Sequence, residues 1–215
     1  MSIVVLEDCE LGPSQKPVLR HVSLSIQSGD FWAIVGPNGS GKTTLVRTVL
    51  GLLQPLSGRI EYSDRANFGK HSAYVPQTSN RVETLPTTPR EWVRLGLAGL
   101  RLSKRERSDR TRDALDQMKL VEIAGRDFSS LSAGLRQRAM VARGLARRAQ
   151  VIVLDEPSEG LDASSRDILF EALDSHHAGG GTVLLVTHRR EEARGRAQRV
   201  GRVENGGVRI EGMPP

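Results

Sequence analysis

An apolar run, Phe31-Trp32-Ala33-Ile34-Val35, leads straight into Gly36-Pro37-Asn38-Gly39-Ser40-Gly41-Lys42-Thr43, and Thr44-Leu45-Val46-Arg47-Thr48-Val49-Leu50 follows with helical periodicity. No other stretch restricts the fold as much. The segment fits GxxxxGK[ST] in the strand–loop–helix setting that this pattern requires. Glycines let successive backbone N–H groups converge on phosphate oxygens, and the next helix turns its positive N-terminal end toward them. Lys42 is then placed to reach the β- and γ-phosphates of a nucleotide, and the Thr43 hydroxyl to coordinate Mg²⁺. A glycine turn that only linked strand to helix would need neither Lys nor Thr at its end.

Around that unit the chain alternates strands and helices. Ile3–Leu6 and Val22–Ile26 read as short strands, and the helix after the glycine loop is expected to end near Gly51. Ser57-Gly58 opens what reads as a strand pair ending in Ala73-Tyr74-Val75-Pro76-Gln77. Thr88-Pro89-Arg90-Glu91 and Ser103-Lys104-Arg105-Glu106 are capping boxes, so residues from about 78 to 147 read as mostly helical. Val151–Asp155 is a fully apolar strand ending in a carboxylate; a helix from about Ala163 to His176 and the strand Thr182–Thr187 come next. Glu204-Asn205-Gly206-Gly207 suggests a hairpin. The pattern predicts an α/β fold with a mostly parallel sheet covered on both faces.

With 215 residues the chain is expected to form one domain. No apolar run approaches the ~20 residues needed to span a bilayer. The N-terminus turns acidic too early for a signal peptide, and the single cysteine, Cys9, fits a reducing compartment. A cytoplasmic location is therefore expected, with any membrane role arising through a partner. The net charge is +6, and 26 of the 31 basic residues are arginine. These arginines are interleaved with acids, as in Arg105-Glu106-Arg107-Ser108-Asp109-Arg110, and aromatics that could stack on bases make up 4%. The charge reads as solvated helix faces rather than a nucleic-acid surface.

Asp155 ends a buried strand, where a doubly wound sheet places ligand-contacting groups, and can hold the Mg²⁺ that bridges nucleotide phosphates. Glu156 follows as the candidate general base. Upstream, Leu131-Ser132-Ala133-Gly134-Leu135-Arg136-Gln137-Arg138 begins a helix capped by Ser132. That segment resembles the LSGGQ signature of ATP-binding cassette (ABC) ATPases. Gln77 is similar to the family's Q-loop glutamine, Ser158-Glu159-Gly160-Leu161-Asp162 to its D-loop, and His188 to its switch histidine. The resemblance spans essentially the whole chain.

What it implies is specific. The fold is a P-loop NTPase cassette: a RecA-like core with a small antiparallel β subdomain (about 1–77 and 148–215) and an inserted helical subdomain (about 78–147). Two such cassettes, a homodimer or a pair with a second cassette subunit, close head-to-tail around two ATP molecules. Gly36 to Thr43, with Thr44 next in the helix, bind the phosphates, while Ser132 and the Gly134 backbone touch the γ-phosphate held by the partner cassette. Thr43, Asp155 and Gln77 serve Mg²⁺. Glu156, His188 and Gln77 are the catalytic group, and Asp162 ties the two sites together. The signature differs from the common pattern at its third and fifth positions. In addition, Leu11-Gly12-Pro13-Ser14 lacks the aromatic that commonly stacks on adenine.

The resemblance implies the ATPase subunit of a membrane transporter, peripheral on the inner face of the cell membrane through an integral membrane partner. Tyr74-Val75-Pro76-Gln77 with Glu83-Thr84-Leu85-Pro86-Thr87-Thr88 and Trp92-Val93-Arg94-Leu95-Gly96 is similar to zinc/manganese-type importer cassettes. The competing expectation is a soluble ABC ATPase acting on DNA or ribosomes, which the basic charge favours. The absence of a second cassette or long coiled coil disfavours it. For His176-His177, beside a glycine turn, a solvated loop is expected.

Overall fold

A computed structural model describes residues 1–13, 15–64, 68–77 and 86–212. The buried segment Phe31–Val35 (β3) forms an inner strand of a six-stranded sheet. Ser72–Val75 (β5), Val151–Asp155 (β6) and Thr182–Thr187 (β7) lie on one side of it, Arg199–Glu204 (β8) and Gly207–Gly212 (β9) on the other. The order is β5-β6-β7-β3-β8-β9, parallel as far as β8, with the hairpin β8-β9 antiparallel at the edge. Ser2–Leu11 (β1), Leu19–Gln27 (β2) and Ser57–Tyr62 (β4) make a separate antiparallel sheet in the order β2-β1-β4.

Strand alternation divides the core. Phe31, Ala33 and Val35 face the helices Ala133–Ala146 (α5) and Ala163–Ala178 (α6). Trp32 and Ile34 face the helix Lys42–Val49 (α1) and the apolar side of the antiparallel sheet, including Leu6, Leu11, Leu19 and Ile26. Each large side chain so enclosed contributes about 1.5–3 kcal/mol against the unfolded chain. Both faces of β3 are thereby clamped, which fixes where its C-terminal end delivers the glycine loop. Helix α1 stops as expected: Gly51 takes φ 70°, and the N–H groups of Gly51 and Leu52 return to Thr48 O and Arg47 O.

The capping boxes form as read. Thr88 opens the helix Pro89–Leu95 (α3) and Ser103 the helix Lys104–Gln117 (α4), each with both reciprocal hydrogen bonds. Helices α3, α4 and α5 pack around Trp92, Leu97, Leu115, Met118 and Phe128, continuous with the sheet's helical face. The Trp92 and Phe128 rings lie 5.4 Å apart, with the Arg143 guanidinium 4.7 Å above Trp92. Residues 78–85 of the expected helical stretch, with Glu83, Thr84 and Leu85, lie outside the described residues.

Two expectations are corrected. Ser57–Tyr62 and Ser72–Val75 are not a pair: β4 bonds to β1, and β5 bonds to β6 in the other sheet. The short helix Phe68–His71 (α2) redirects the chain between them. Ala73 and Val75 then bury under the helices, which only a strand of the parallel sheet can do, whereas largely exposed β4 suits an edge. His176 and His177 are not in a loop but in the last turn of α6 and half-buried. His177 packs edge-on against Phe31, with Nε2 2.9 Å from Gly29 O; burial holds the His176 imidazole below its ordinary pKa. Among the described residues, no helix is long and apolar enough to cross a membrane.

Candidate active site

The glycine loop turns at the end of β3 because its backbone runs against the neighbouring strand. A Cβ on Gly36 would stand 2.3 Å from Val203 O, so no side chain fits there. Gly41 adopts φ 107°, a left-handed conformation that favours glycine, and passes the chain into α1. Helix α1 has no side-chain cap, whereas α3, α4, α5 and α6 are capped by Thr88, Ser103, Ser132 and Asp162. A helix N-terminus without a side-chain cap, fronted by a glycine loop, suits an anion.

Lys42 is buried, with 6% of its surface exposed, and its ammonium is fully engaged. It donates to Gly36 O at 2.9 Å and Pro37 O at 3.1 Å and faces Glu156 Oε1 at 3.4 Å. Asp155, at the end of β6, accepts from Thr43 Oγ1 at 2.8 Å and from the Tyr74 hydroxyl at 3.2 Å, both on Oδ2. Burial raises the Asp155 pKa, and the two hydroxyl donors pull it back. Burial and then the Asp155 charge push the Tyr74 phenol up to about 12, so it remains a donor at neutral pH.

Glu156 carries φ 50°, unusual for a non-glycine residue and costing about 1–3 kcal/mol in general. This turn aims its carboxylate off the line of β6 into the cavity, while its N–H is held by Val186 O at 2.9 Å. Oε2 lies 2.8 Å from His188 Nδ1 and accepts the His188 N–H at 3.4 Å. Oε1 has no hydrogen-bond partner and meets only the Lys42 ammonium. Gln77, exposed beyond β5, donates to Glu159 Oε2 at 2.9 Å. The cavity of about 450 Å³ is lined by Lys42, Thr43, Asp155, Glu156 and Gln77, and Pro13 and Val18 also line it. A carboxylate 2.8 Å from an imidazole, beside a buried ammonium at a helix N-terminus, can hold a polyphosphate and take a proton from a water next to it.

The structure brings the loop residues Gly36, Pro37, Asn38, Gly39, Ser40 and Gly41 together with Lys42, Thr43, Thr44, Gln77, Asp155, Glu156 and His188. It keeps Ser132, Gly134 and Asp162 outside that cavity. Ser132 and Asp162 are exposed at the N-termini of α5 and α6, accepting from Leu135 N and Ser165 N. Gly134 lies against Leu161, so the signature segment and the turn before α6 are neighbours. Two polar residues escaped the sequence reading. Tyr74 is one, and strand alternation offered a signal, because Ala73 and Val75 point to the helical core and leave Tyr74 on the other face. The second, Glu192, is buried at 4% exposure, and no sequence pattern marked it.

Comparisons with known proteins show the family of the chain. The profile of the family described as ABC transporter matches residues 19–159. The zinc transport system ATP-binding protein AdcC of Streptococcus pneumoniae is 34% identical over 207 residues, covering 93% of this chain and 88% of that protein. The high-affinity zinc uptake system ATP-binding protein ZnuC of Bacillus subtilis is 35% identical over 216 residues, covering 96% and 93%. The manganese transport system ATP-binding protein MntB of Listeria monocytogenes is 37% identical over 180 residues, covering 81% and 75%. Among solved structures, a dimeric ATP-binding cassette in a post-hydrolysis state with ADP and Pi superposes with a TM-score of 0.85. That cassette is 28% identical, with 99% of this chain and 100% of that one covered.

Proposed function

The chain belongs to the ABC transporter family, and we propose that it is the ATPase subunit of an importer for a divalent transition metal, zinc or manganese. The observation that carries the metal assignment is the set of relatives, covered over three quarters of their length or more, that are named for zinc or manganese transport. In this reading one cassette, its core at about 1–77 and 148–215 and its helical part at about 78–147, pairs head-to-tail with a second. The pair sits on the cytoplasmic face of an integral membrane partner. The dimeric relative of matching fold supports the pairing.

The residues fit Mg²⁺. Thr43 Oγ1 and Asp155 Oδ2, 2.8 Å apart at the mouth of the glycine loop, are hard oxygen donors, and Gln77 lines the same cavity. These three would hold the ion, which supplies charge neutralisation on the phosphates when bound. The protein's own groups do the rest. Lys42 and the loop N–H groups bind the phosphates, Glu156 accepts a proton from the attacking water, and His188 orients Glu156 through its Nδ1 contact. Ser132 and Gly134, outside this cavity and at the start of α5, complete the site of the opposite cassette, and Asp162 lies beside them at the start of α6.

Cells lacking the chain, complemented with wild type or Lys42→Ala, test the assignment through uptake of radioactive zinc and manganese. Wild type restores uptake of one of the two metals and Lys42→Ala does not. Equal uptake in all three strains would refute it.

A further inference from the structure

Two loops at the ends of the neighbouring strands β6 and β7 serve the site. One runs from Glu156 to Asp162 and presents Asp162 at the exposed start of α6; the other follows β7 and carries His188. A buried carboxylate joins them. Glu192, 4% exposed, accepts from Ser158 Oγ on Oε1 and from Thr187 Oγ1 on Oε2, each at 2.7 Å. Ser158 is two residues beyond Glu156, and Thr187 immediately precedes His188. Both hydroxyls are themselves buried, at 3% and 0% exposure. The Arg189 N–H closes the arrangement on Thr187 Oγ1 at 3.0 Å.

Glu192 is rigidly carried. It ends a short 3₁₀ turn, Arg190–Glu192, and Ala193 and Ala197 behind it are buried in the helical-side core. Arg196 anchors the same segment to α6, reaching both Asp174 oxygens at 3.0 Å with its guanidinium 4.7 Å from the Phe170 ring. Among the described residues no cation pairs with Glu192. A carboxylate taken out of water costs several kcal/mol of desolvation in general; here two hydroxyl donors offset part of that cost, and Glu192 in turn satisfies both buried hydroxyls. Together these two bonds fix the two loops in register.

We propose, resting on the site reading above, that Glu192 is a positioning residue that locks the Ser158–Asp162 turn to the end of β7. The turn facing the second cassette and the Glu156–His188 pair then move as one unit. Displacement of Asp162 on cassette closure is transmitted through Ser158 and Glu192 to Thr187, and thus to His188. The two short hydrogen bonds make the link stiff, because charge-assisted bonds to buried hydroxyls are about twice as strong as neutral ones.

The test is a double-mutant cycle on the full chain, with Glu192→Ala, Ser158→Ala and their combination, plus Glu192→Gln and Thr187→Val. Each is followed by steady-state Mg-ATP hydrolysis, nucleotide binding to the monomer and thermal melting. Glu192→Ala is expected to lower kcat roughly 10–100-fold, the scale of a mispositioned catalytic group, with KM and monomer nucleotide affinity within about twofold. Adding Ser158→Ala should cost little more, since both sever one link. Glu192→Gln keeps a carbonyl acceptor and an amide that a hydroxyl oxygen can accept from, and should recover most of the activity. Thr187→Val, which removes the other arm and is close in shape, should mimic Glu192→Ala even if the latter folds poorly. Strictly additive losses, or losses that follow the fall in melting temperature alone, would overturn the proposal. Glu156→Gln separates the failures. If it turns over like wild type, the site reading itself is wrong; if it is inactive while the Glu192 and Thr187 variants are normal, only the coupling is wrong.

Discussion

Glu156→Gln is the perturbation on which the site chemistry turns. The carboxylate is 6% exposed, 3.4 Å from the Lys42 ammonium and 2.8 Å from His188 Nδ1, so an amide of the same shape changes charge and basicity with little effect on packing. At an effective dielectric of about 20, a unit pair 3.4 Å apart has a gross attraction of about 5 kcal/mol. In the wild-type protein an incoming γ-phosphate competes with that attraction and is repelled by the same carboxylate. Removing the charge relieves both effects, so nucleotide affinity should hold or rise. Proton abstraction is lost, and a positioned base contributes about 10²–10⁴-fold, or about 2.7–5.4 kcal/mol at 1.36 kcal/mol per decade. The assay is phosphate release at saturating Mg-ATP beside direct titration of nucleotide binding. Turnover within twofold of wild type would refute the base assignment. A collapse of nucleotide binding would refute the electrostatic reasoning.

Three further outcomes are expected. Ser132→Arg places a long cation at the exposed start of α5 and should abolish ATP-driven dimerisation in gel filtration while the monomer still binds nucleotide; a normal dimer would contradict the shared site. Gly36→Ala sets a Cβ 2.3 Å from Val203 O, so the loop must shift; ATP affinity should fall at least tenfold, with a stability loss of about 1–3 kcal/mol by overpacking, read by titration and melting. Asp155→Asn should stop Mg-dependent turnover yet raise Tm measured without Mg²⁺, each kcal/mol being worth about 2–4 °C in a chain of this size. The sign follows from burial: the folded Asp155 pKa is raised, so its ionised form opposes folding once pH passes the unfolded value near 3.9. The Tm gain should therefore be larger at pH 7 than at pH 3.5, and an equal gain at both would contradict it.

The glycine loop, Asp155 and Glu156 were legible because each sits at a junction that backbone physics marks: an apolar strand that stops, a turn, a cap. Helix starts at Thr88 and Ser103 were legible for the same reason, since a capping box is written within four residues. Sheet partnership was not. Local pattern calls both Ser57–Tyr62 and Ser72–Val75 strands, but their separation into two sheets is decided by what Ala73 and Val75 bury. The histidines at 176 and 177 misled because the glycines after them imitate a loop, while α6 continues to Ala178. Tyr74 and Glu192 act through partners 81 and 34 residues away, and no short-range spacing encodes such contacts.

Coupling of this ATPase to a membrane partner can be measured directly. The most direct measurement is to purify the tagged chain from its native cells in mild detergent and quantify what accompanies it by mass spectrometry. A polytopic membrane protein at a near-equal molar amount, released from the membrane with this chain, is the expected companion. Recovery with ribosomes or DNA-repair factors, and no membrane protein in stoichiometric amount, would contradict it.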